Sequence, residues 1–138
     1  MNRFVSVLLV ICIVASLGSA EDTSFRRVRV PNLKGKLVKA VLTFSDNDKA
    51  VEVRPAKGDA LTVPYPQIEK ASYEFTESLS GRTHWLEIHY RDQDARKVVV
   101  LLMDKHDYIG ILDALKAHTG IDVEVLGNTE KVRRRDLR

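Results

Sequence analysis

Apolar and polar residues alternate along most of the chain, with the period of two that marks a strand with one buried face. Short segments rich in Asp, Asn, Pro, Gly and Ser separate the apolar rows and are typical of turns. Short turns favour antiparallel neighbours, because parallel strands need long crossovers. The rows that predict buried faces are Val28 and Val30; Val38, Ala40, Leu42 and Phe44; Val51 and Val53; Leu61 and Val63; Ala71, Tyr73 and Phe75; and Leu86, Ile88 and Tyr90.

An unbroken apolar run from Val98 to Met103 interrupts this alternation. Such a run predicts a strand covered on both faces, or one paired against the helix that follows. For that helix, Asp104 is the predicted N-cap and Gly120 supplies the left-handed residue past its end. Its buried stripe, spaced i, i+3, i+4, i+7, is predicted to be Tyr108, Ile111, Leu112 and Leu115.

Together these elements predict a mostly β (α+β) fold of about seven antiparallel strands and one C-terminal amphipathic helix. Pro64 and Pro66 cannot donate to a ladder, so they are expected at an edge, bend or bulge. Val123 and Val125 indicate a final short strand. The expected architecture is a curved sheet or partly open barrel with the helix across one end.

The phrase from Val63 to Tyr73, VPYPQIEKASY, resembles a feature of the pleckstrin-homology-like (PH-like) domains of bacteria. Those domains commonly carry an I-P-Y-x-x-I phrase in a mid-domain strand and close with a helix similar to residues 107–120. The resemblance covers roughly residues 26–125. It implies a barrel-like scaffold capped by a helix, which serves as a binding or assembly module without catalysis or a cofactor.

Phosphoinositide-binding members of the wider family use basic residues clustered around the first hairpin. The corresponding region here is basic but interrupted by Asp46 and Asp48, and it does not reproduce the familiar spacing. Its cations are Lys34, Lys36, Lys39 and Lys49.

The N-terminal segment, residues 1–20, has the order of an export signal. Arg3 precedes an uncharged apolar run from Phe4 to Leu17, and small residues at Gly18 and Ala20 fit a signal peptidase, which would cleave before Glu21. We therefore expect an exported protein, periplasmic or secreted. The alternative is an uncleaved N-terminal anchor, although this stretch is short for crossing a bilayer without thinning it.

The distribution of charge divides the rest of the chain into one globular domain, residues 21–130, and a basic tail, residues 131–138. The resemblance described above implies that the globular domain is PH-like. The chain has 22 Lys and Arg against 19 Asp and Glu; without Arg3 and the five tail cations 16 remain, and without Asp136 18 acidic residues remain. Basicity therefore belongs to the tail, and no nucleic-acid partner is predicted. The only cysteine, Cys12, precedes the expected cleavage site, which leaves no thiol for disulfides, metal or catalysis.

No pattern in the chain predicts an enzyme or a metal site. His84 and His89 are an odd number apart on one predicted strand, so their side chains point to opposite faces and share no ion. A calcium loop beginning at Asp46 would have Val51 where glycine is needed and Lys57 where glutamate is needed, so a solvated turn is expected. The Gly-x-Ser-x-Gly elbow and the HExxH motif are also absent.

Two features remain candidates for a role in binding. Trp85 falls on the strand face opposite Leu86, and is either part of a second core or an exposed aromatic anchor for a partner. The tail is either a solvated terminus or a segment that holds an anionic surface by charge. Its candidate contact residues are Lys131, Arg133, Arg134 and Arg135.

These observations predict an exported, non-catalytic binding or assembly module that acts through protein contacts and needs no cofactor. One alternative is a peripheral binder of an anionic membrane or envelope surface that uses the basic tail. A further alternative is a small-ligand carrier or hydrolase whose site assembles from residues distant in sequence.

Overall fold

The predicted alternating rows form strands in the computed structural model, which describes residues 22–127. Within that range there are eight strands and one α-helix, α1, and no helix long and apolar enough to cross a bilayer. The expected signal peptide and basic tail lie outside the described residues. The elements are β1 Thr23–Pro31, β2 Leu37–Ser45, β3 Ala50–Pro55, β4 Leu61–Pro64, a 3₁₀ turn Tyr65–Gln67, β5 Ile68–Ser78, β6 Gly81–Asp92, β7 Ala95–Met103, α1 Tyr108–Thr119 and β8 Val123–Gly127.

All eight strands of the described range join one open sheet in the order β4-β3-β2-β1-β7-β6-β5-β8. Neighbours are antiparallel except β5 and β8, which are parallel. The sheet is therefore mixed and has eight strands, where about seven antiparallel strands were predicted. The difference arises because α1 acts as a crossover: it returns the chain so that β8 runs in the direction of β7 and β5.

The core lies between the inner face of the sheet and α1. Inward-facing rows on the strands supply most of it, as the alternation predicted, and Ile111 and Leu115 of α1 are fully buried against them. Tyr108 and Leu112 pack partly buried at its margin, which confirms the predicted helical stripe. Burying one such aliphatic side chain contributes about 1.5–3 kcal/mol.

The two ends of α1 differ in how well the sequence predicted them. Gly120 is left-handed, with φ 74°, and its N–H donates to the Lys116 carbonyl, as expected for a C-cap. The N-cap is Asp107 and not Asp104, so that prediction was wrong. Asp104 instead starts a preceding turn: its carboxylate accepts the His106 N–H at 2.8 Å and its carbonyl accepts the Tyr108 N–H at 2.9 Å.

Of the two alternatives for the apolar run, β7 fits a strand packed against the following helix, because one of its rows faces the core that α1 closes and the other is not fully buried. Leu101 and Met103 point into the core and are buried. On the outer face Val98 is 48% exposed, while Val100 and Leu102 are half-buried. Helix α1 lies over the inner face, and β-branched residues suit an exposed strand almost as well as a buried one, so the run by itself did not report two-sided burial.

Candidate binding surface

An apolar strip lies on the outer face of the β6–β7 ladder. The register sets Trp85 opposite Leu102, and Val98 and Val100 continue the outward row of β7. Trp85 is half-buried on this face. We call Trp85, Val98, Val100 and Leu102 the outer strip; Val98 is exposed and the other three are half-buried.

The outer strip is unusual because an antiparallel sheet normally presents polar side chains on its solvated face. Contiguous apolar side chains that stay accessible on the outer face of a sheet are candidates for contact sites. Trp85 lies on the outer face of the sheet, half-buried, with Leu102 and Glu74 as its cross-strand neighbours. Its role in binding stays a prediction.

A basic groove adjoins one end of the outer strip. It is an open groove of about 260 Å³, and Leu102 belongs to both features. Strand β1 supplies Arg27 and Arg29, the start of β6 supplies Arg82, and the turn before α1 supplies Lys105. One carboxylate, that of Asp104, also lines the groove, 3.7 Å from Arg27. We call these four cations and the surface between them the basic groove.

Only some of these cations are neutralised within the domain. Arg27 donates twice to the Asp107 carboxylate, at 2.8 and 3.0 Å, and this bonding raises the pKa of Arg27. Arg82 pairs with Glu77 at 3.0 Å. Within residues 22–127, Arg29 and Lys105 form no ion pair. The groove therefore holds uncompensated positive charge beside an apolar surface.

Two histidine clusters connect α1 to the sheet, one near each end of the helix, and the sequence indicated neither of them. In the first, His84 is buried and stacks on Tyr108 with ring centroids 3.8 Å apart. A 2.6 Å hydrogen bond joins its Nδ1 to the Tyr73 hydroxyl. Burial, with Arg82 adding to it, lowers the pKa of His84, and burial raises that of Tyr73 to about 12. This neutral, enclosed stack anchors the first turn of α1.

The second cluster holds the other end of α1. His118 Nδ1 lies 2.6 Å from Asp46 Oδ1, its Nε2 lies 3.0 Å from Thr23 Oγ1, and its ring stacks on buried Phe44. Thr23, His118 and Asp46 follow the order hydroxyl, imidazole, carboxylate of a hydrolase triad. In this fold the three side chains join α1 to β1 and to the β2–β3 turn. The hydrogen bond with His118 lowers the pKa of Asp46. The partners are 95 and 72 positions away, so no local pattern signals this cluster.

The remaining predicted site residues are separated by the fold. Lys49 lies in the β2–β3 turn, at the opposite end of the strands from Lys34 in the β1–β2 turn and Lys57 in the β3–β4 turn. Those two turns line an open groove of about 610 Å³, beside the wholly exposed Leu33. Lys131, Arg133, Arg134 and Arg135 lie outside the described residues. In the described range no three His, Cys, Asp or Glu residues cluster as a metal site would require.

Comparison with known proteins shows similarity of fold. No protein-family model and no curated protein sequence matches the chain. Among solved structures, the Spt16D–Pob3N heterodimer matches with a TM-score of 0.56 and 18% identity, over 78% of this chain, which spans 55% of that one. The hSac2 domain of human phosphoinositide phosphatase Sac2 matches with a TM-score of 0.55 and 14% identity, over 91% of this chain and 89% of that one. Both neighbours have PH-like folds, and the fold of this chain is accordingly PH-like, as the resemblance implied.

Proposed function

We propose that this protein is an exported, non-catalytic binding module that contacts a protein partner through the outer strip. The observation that carries the proposal is the partly exposed apolar row on β6–β7, formed by Trp85 and Leu102 with the outward residues of β7. Interface energy concentrates in a few residues, with Trp and Arg enriched among them. Here a tryptophan stands directly opposite Leu102, which in turn faces Arg29 on β1.

Export is the second part of the proposal. It is supported by the charged-then-apolar order of residues 1–17 and by the small residues Gly18 and Ala20. The absence of cysteine after Cys12 suits an oxidising compartment, because no thiol is left to oxidise. Mass spectrometry of the mature protein tests this part, with an N-terminus at Glu21 as the expected result.

Partner capture tests the contact surface. Tagged full-length protein is used to recover partners from an envelope extract, alongside the variant Trp85→Ser/Val98→Ser and the control Leu33→Ser. The control replaces a fully exposed leucine in the β1–β2 turn, outside the outer strip. We expect the same specific partners with the wild type and the control, and their loss with the outer-strip variant. Recovery of identical partners by all three proteins, or of none by the wild type, would contradict the proposal.

A second candidate function, binding to an anionic membrane or envelope surface, is favoured by one observation at the turn end of the sheet. Leu33 is wholly exposed at the tip of the β1–β2 turn, next to Lys34 and across a groove from Lys57. An apolar tip surrounded by cations is suited to an anionic lipid surface. The basic tail would add attraction.

Liposome co-sedimentation separates the two candidates. If the turn end binds lipid, anionic vesicles should retain the wild type at low salt and release it as salt rises. Leu33→Ser/Lys34→Gln should lose this retention, and Trp85→Ser/Val98→Ser should keep it. Equal retention of all three proteins would eliminate the turn end as the lipid contact.

A further inference from the structure

We infer that the partner presents an acidic segment with an adjacent apolar side chain, the carboxylates binding in the basic groove and the apolar side chain covering the outer strip. This inference rests on the proposed function and specifies the chemistry of the partner. It follows from the position of the basic groove, which shares Leu102 with the outer strip and begins where the apolar row of β7 ends.

The charge arrangement on β1 is the first support. Arg29 stands directly opposite Lys39 in the β1–β2 ladder, and both side chains are exposed on the outer face. Like charges directly opposite each other destabilise an antiparallel pair. Neither residue forms an ion pair within residues 22–127. An anion bound between β1 and the groove would relieve this repulsion.

The neighbours of the groove cations are the second support. Arg27 is held by Asp107 and Arg82 by Glu77, so both guanidinium groups are positioned at the rim. Lys105 is exposed at the start of the turn before α1 and forms no ion pair in the described range, and the neighbouring Asp104 carboxylate lines the same groove. The groove therefore combines two arginines held by carboxylates with two cations that form no ion pair, Arg29 and Lys105, an arrangement that suits carboxylate recognition.

Negative charge on the other side of the outer strip favours a peptide ligand over a nucleic acid. Glu74 faces Trp85 from β5, and Glu87 follows Trp85 on the outward row of β6. A uniformly charged phosphate backbone running along the strip would meet these carboxylates after leaving the groove. A peptide avoids this repulsion by placing its carboxylates only at the groove and an aliphatic side chain at Trp85.

A binding assay with a synthetic peptide tests the inference. The probe is a fluorescently labelled peptide with a run of glutamates followed by leucines; its controls replace every glutamate by glutamine or are a single-stranded oligonucleotide. Trp85 is the only tryptophan in the chain, so its emission gives a second readout from the site. Protein variants are Arg29→Glu/Lys105→Glu and the charge-matched control Lys34→Glu/Lys57→Glu, which changes two cations at the distant turns.

We expect the acidic peptide to bind and to shift Trp85 emission, with affinity falling as salt rises. Arg29→Glu/Lys105→Glu should weaken binding by about tenfold or more, and the charge-matched control by about twofold or less. Because Arg29→Glu also replaces the repulsion from Lys39 by attraction, the melting temperature of that single variant should be unchanged or raised. Weaker binding without loss of stability is a result that a merely structural role would not give.

Three results would overturn the inference: no binding of the acidic peptide, equal binding of its glutamine version, or tighter binding of the oligonucleotide. Partner capture that still depends on Trp85 and Val98 would then leave the proposed function standing. Capture that ignores the outer strip while the peptide binds at the groove would show that the proposed function has failed and that the groove acts alone.

Discussion

The two faces of the β6–β7 ladder belong to the same backbone but lie in opposite environments. On the inner face His84, Leu86 and Leu101 are excluded from solvent. On the outer face, one residue further along each strand, Trp85 and Leu102 are half-buried. Side chains on the inner face therefore determine whether the domain folds, while those on the outer face are available to a partner.

The comparison shows that apolar character alone does not separate folding residues from binding residues. The inward residues interlock with α1 and with the opposite rows of the sheet, and removing one leaves a cavity. The outward residues keep part of their surface accessible to solvent. Their substitution is expected to affect binding more than stability, and the following predictions test that division.

The largest effect is expected from Leu86→Ala on the inner face. Leu86 has no exposed surface, so the substitution loses buried apolar area and leaves a cavity, at a cost of about 2–5 kcal/mol. Urea unfolding followed by far-UV circular dichroism measures this change. The control Leu33→Ala, at a fully exposed leucine, should change the free energy of unfolding by about 0.5 kcal/mol or less. Similar costs at both positions would contradict the burial difference.

A smaller effect is expected at His84, which makes the inner face sensitive to pH. Since burial lowers the pKa of His84 below its ordinary 6.5, the unfolded chain takes up this proton first as pH falls. The free energy of unfolding should therefore decrease from about pH 6.5 down to the folded-state pKa and be fully retained above that window.

His84→Phe checks the assignment because phenylalanine keeps the ring and cannot titrate. The variant should cost about 1–3 kcal/mol, since the Tyr73 hydroxyl loses its hydrogen-bond partner, and the slope of stability in that pH window should flatten. Urea unfolding at a series of pH values gives both quantities. An unchanged slope would show that another group carries the pH dependence.

A smaller change in the free energy of unfolding, at lower pH, is expected at the margin of the core, where Asp46 and His118 are partly exposed. The hydrogen bond from His118 lowers the pKa of Asp46 below its ordinary 3.8. Its contribution is therefore present above pH 3.8 and lost as pH falls through the folded-state pKa. Asp46→Asn should reduce the loss of stability in acid, and His118→Gln should do the same. Retention of the full acid transition in both variants would contradict the pairing.

The smallest effect on stability is expected from Val98→Thr on the outer strip. Val98 is 48% exposed, and threonine keeps its β-branched shape, so the free energy of unfolding should change by about 0.5 kcal/mol or less. Thermal unfolding measures this, and partner capture should fall in the same variant. A large loss of stability would mean that the outer strip is covered and belongs to a second core.

Much of the fold was predictable because alternation reports burial directly. The rows around Leu42, Tyr73 and Ile88 are inward, and Gly120 ends α1 as its position indicated. Asp104 was predicted wrongly as the N-cap because its carboxylate serves an earlier turn, which no helical pattern marks. The parallel β5–β8 pair was missed because its register depends on where α1 delivers the chain.

The candidate surface was predictable only in part. The sequence singled out Trp85 as outward relative to Leu86, but it did not indicate that Leu102 and Val100 lie beside it, since a continuous apolar run conceals its own two faces. It also balanced the charges of residues 21–130 and assigned basicity to the tail. The fold brings Arg29, Lys39 and Lys105 close together without changing that balance.

The sequence by itself determined the strand periodicity, the closing helix and the numbers of each charge, because these depend on residues near one another along the chain. Tertiary structure decided which apolar residues remain uncovered, which histidines acquire a partner and where positive charge accumulates. Those properties arise from pairs such as Trp85 with Leu102, and Asp46 with His118, which meet only after the chain has folded. A composition records how many cations a domain has, and its strand order determines which of them face the same partner.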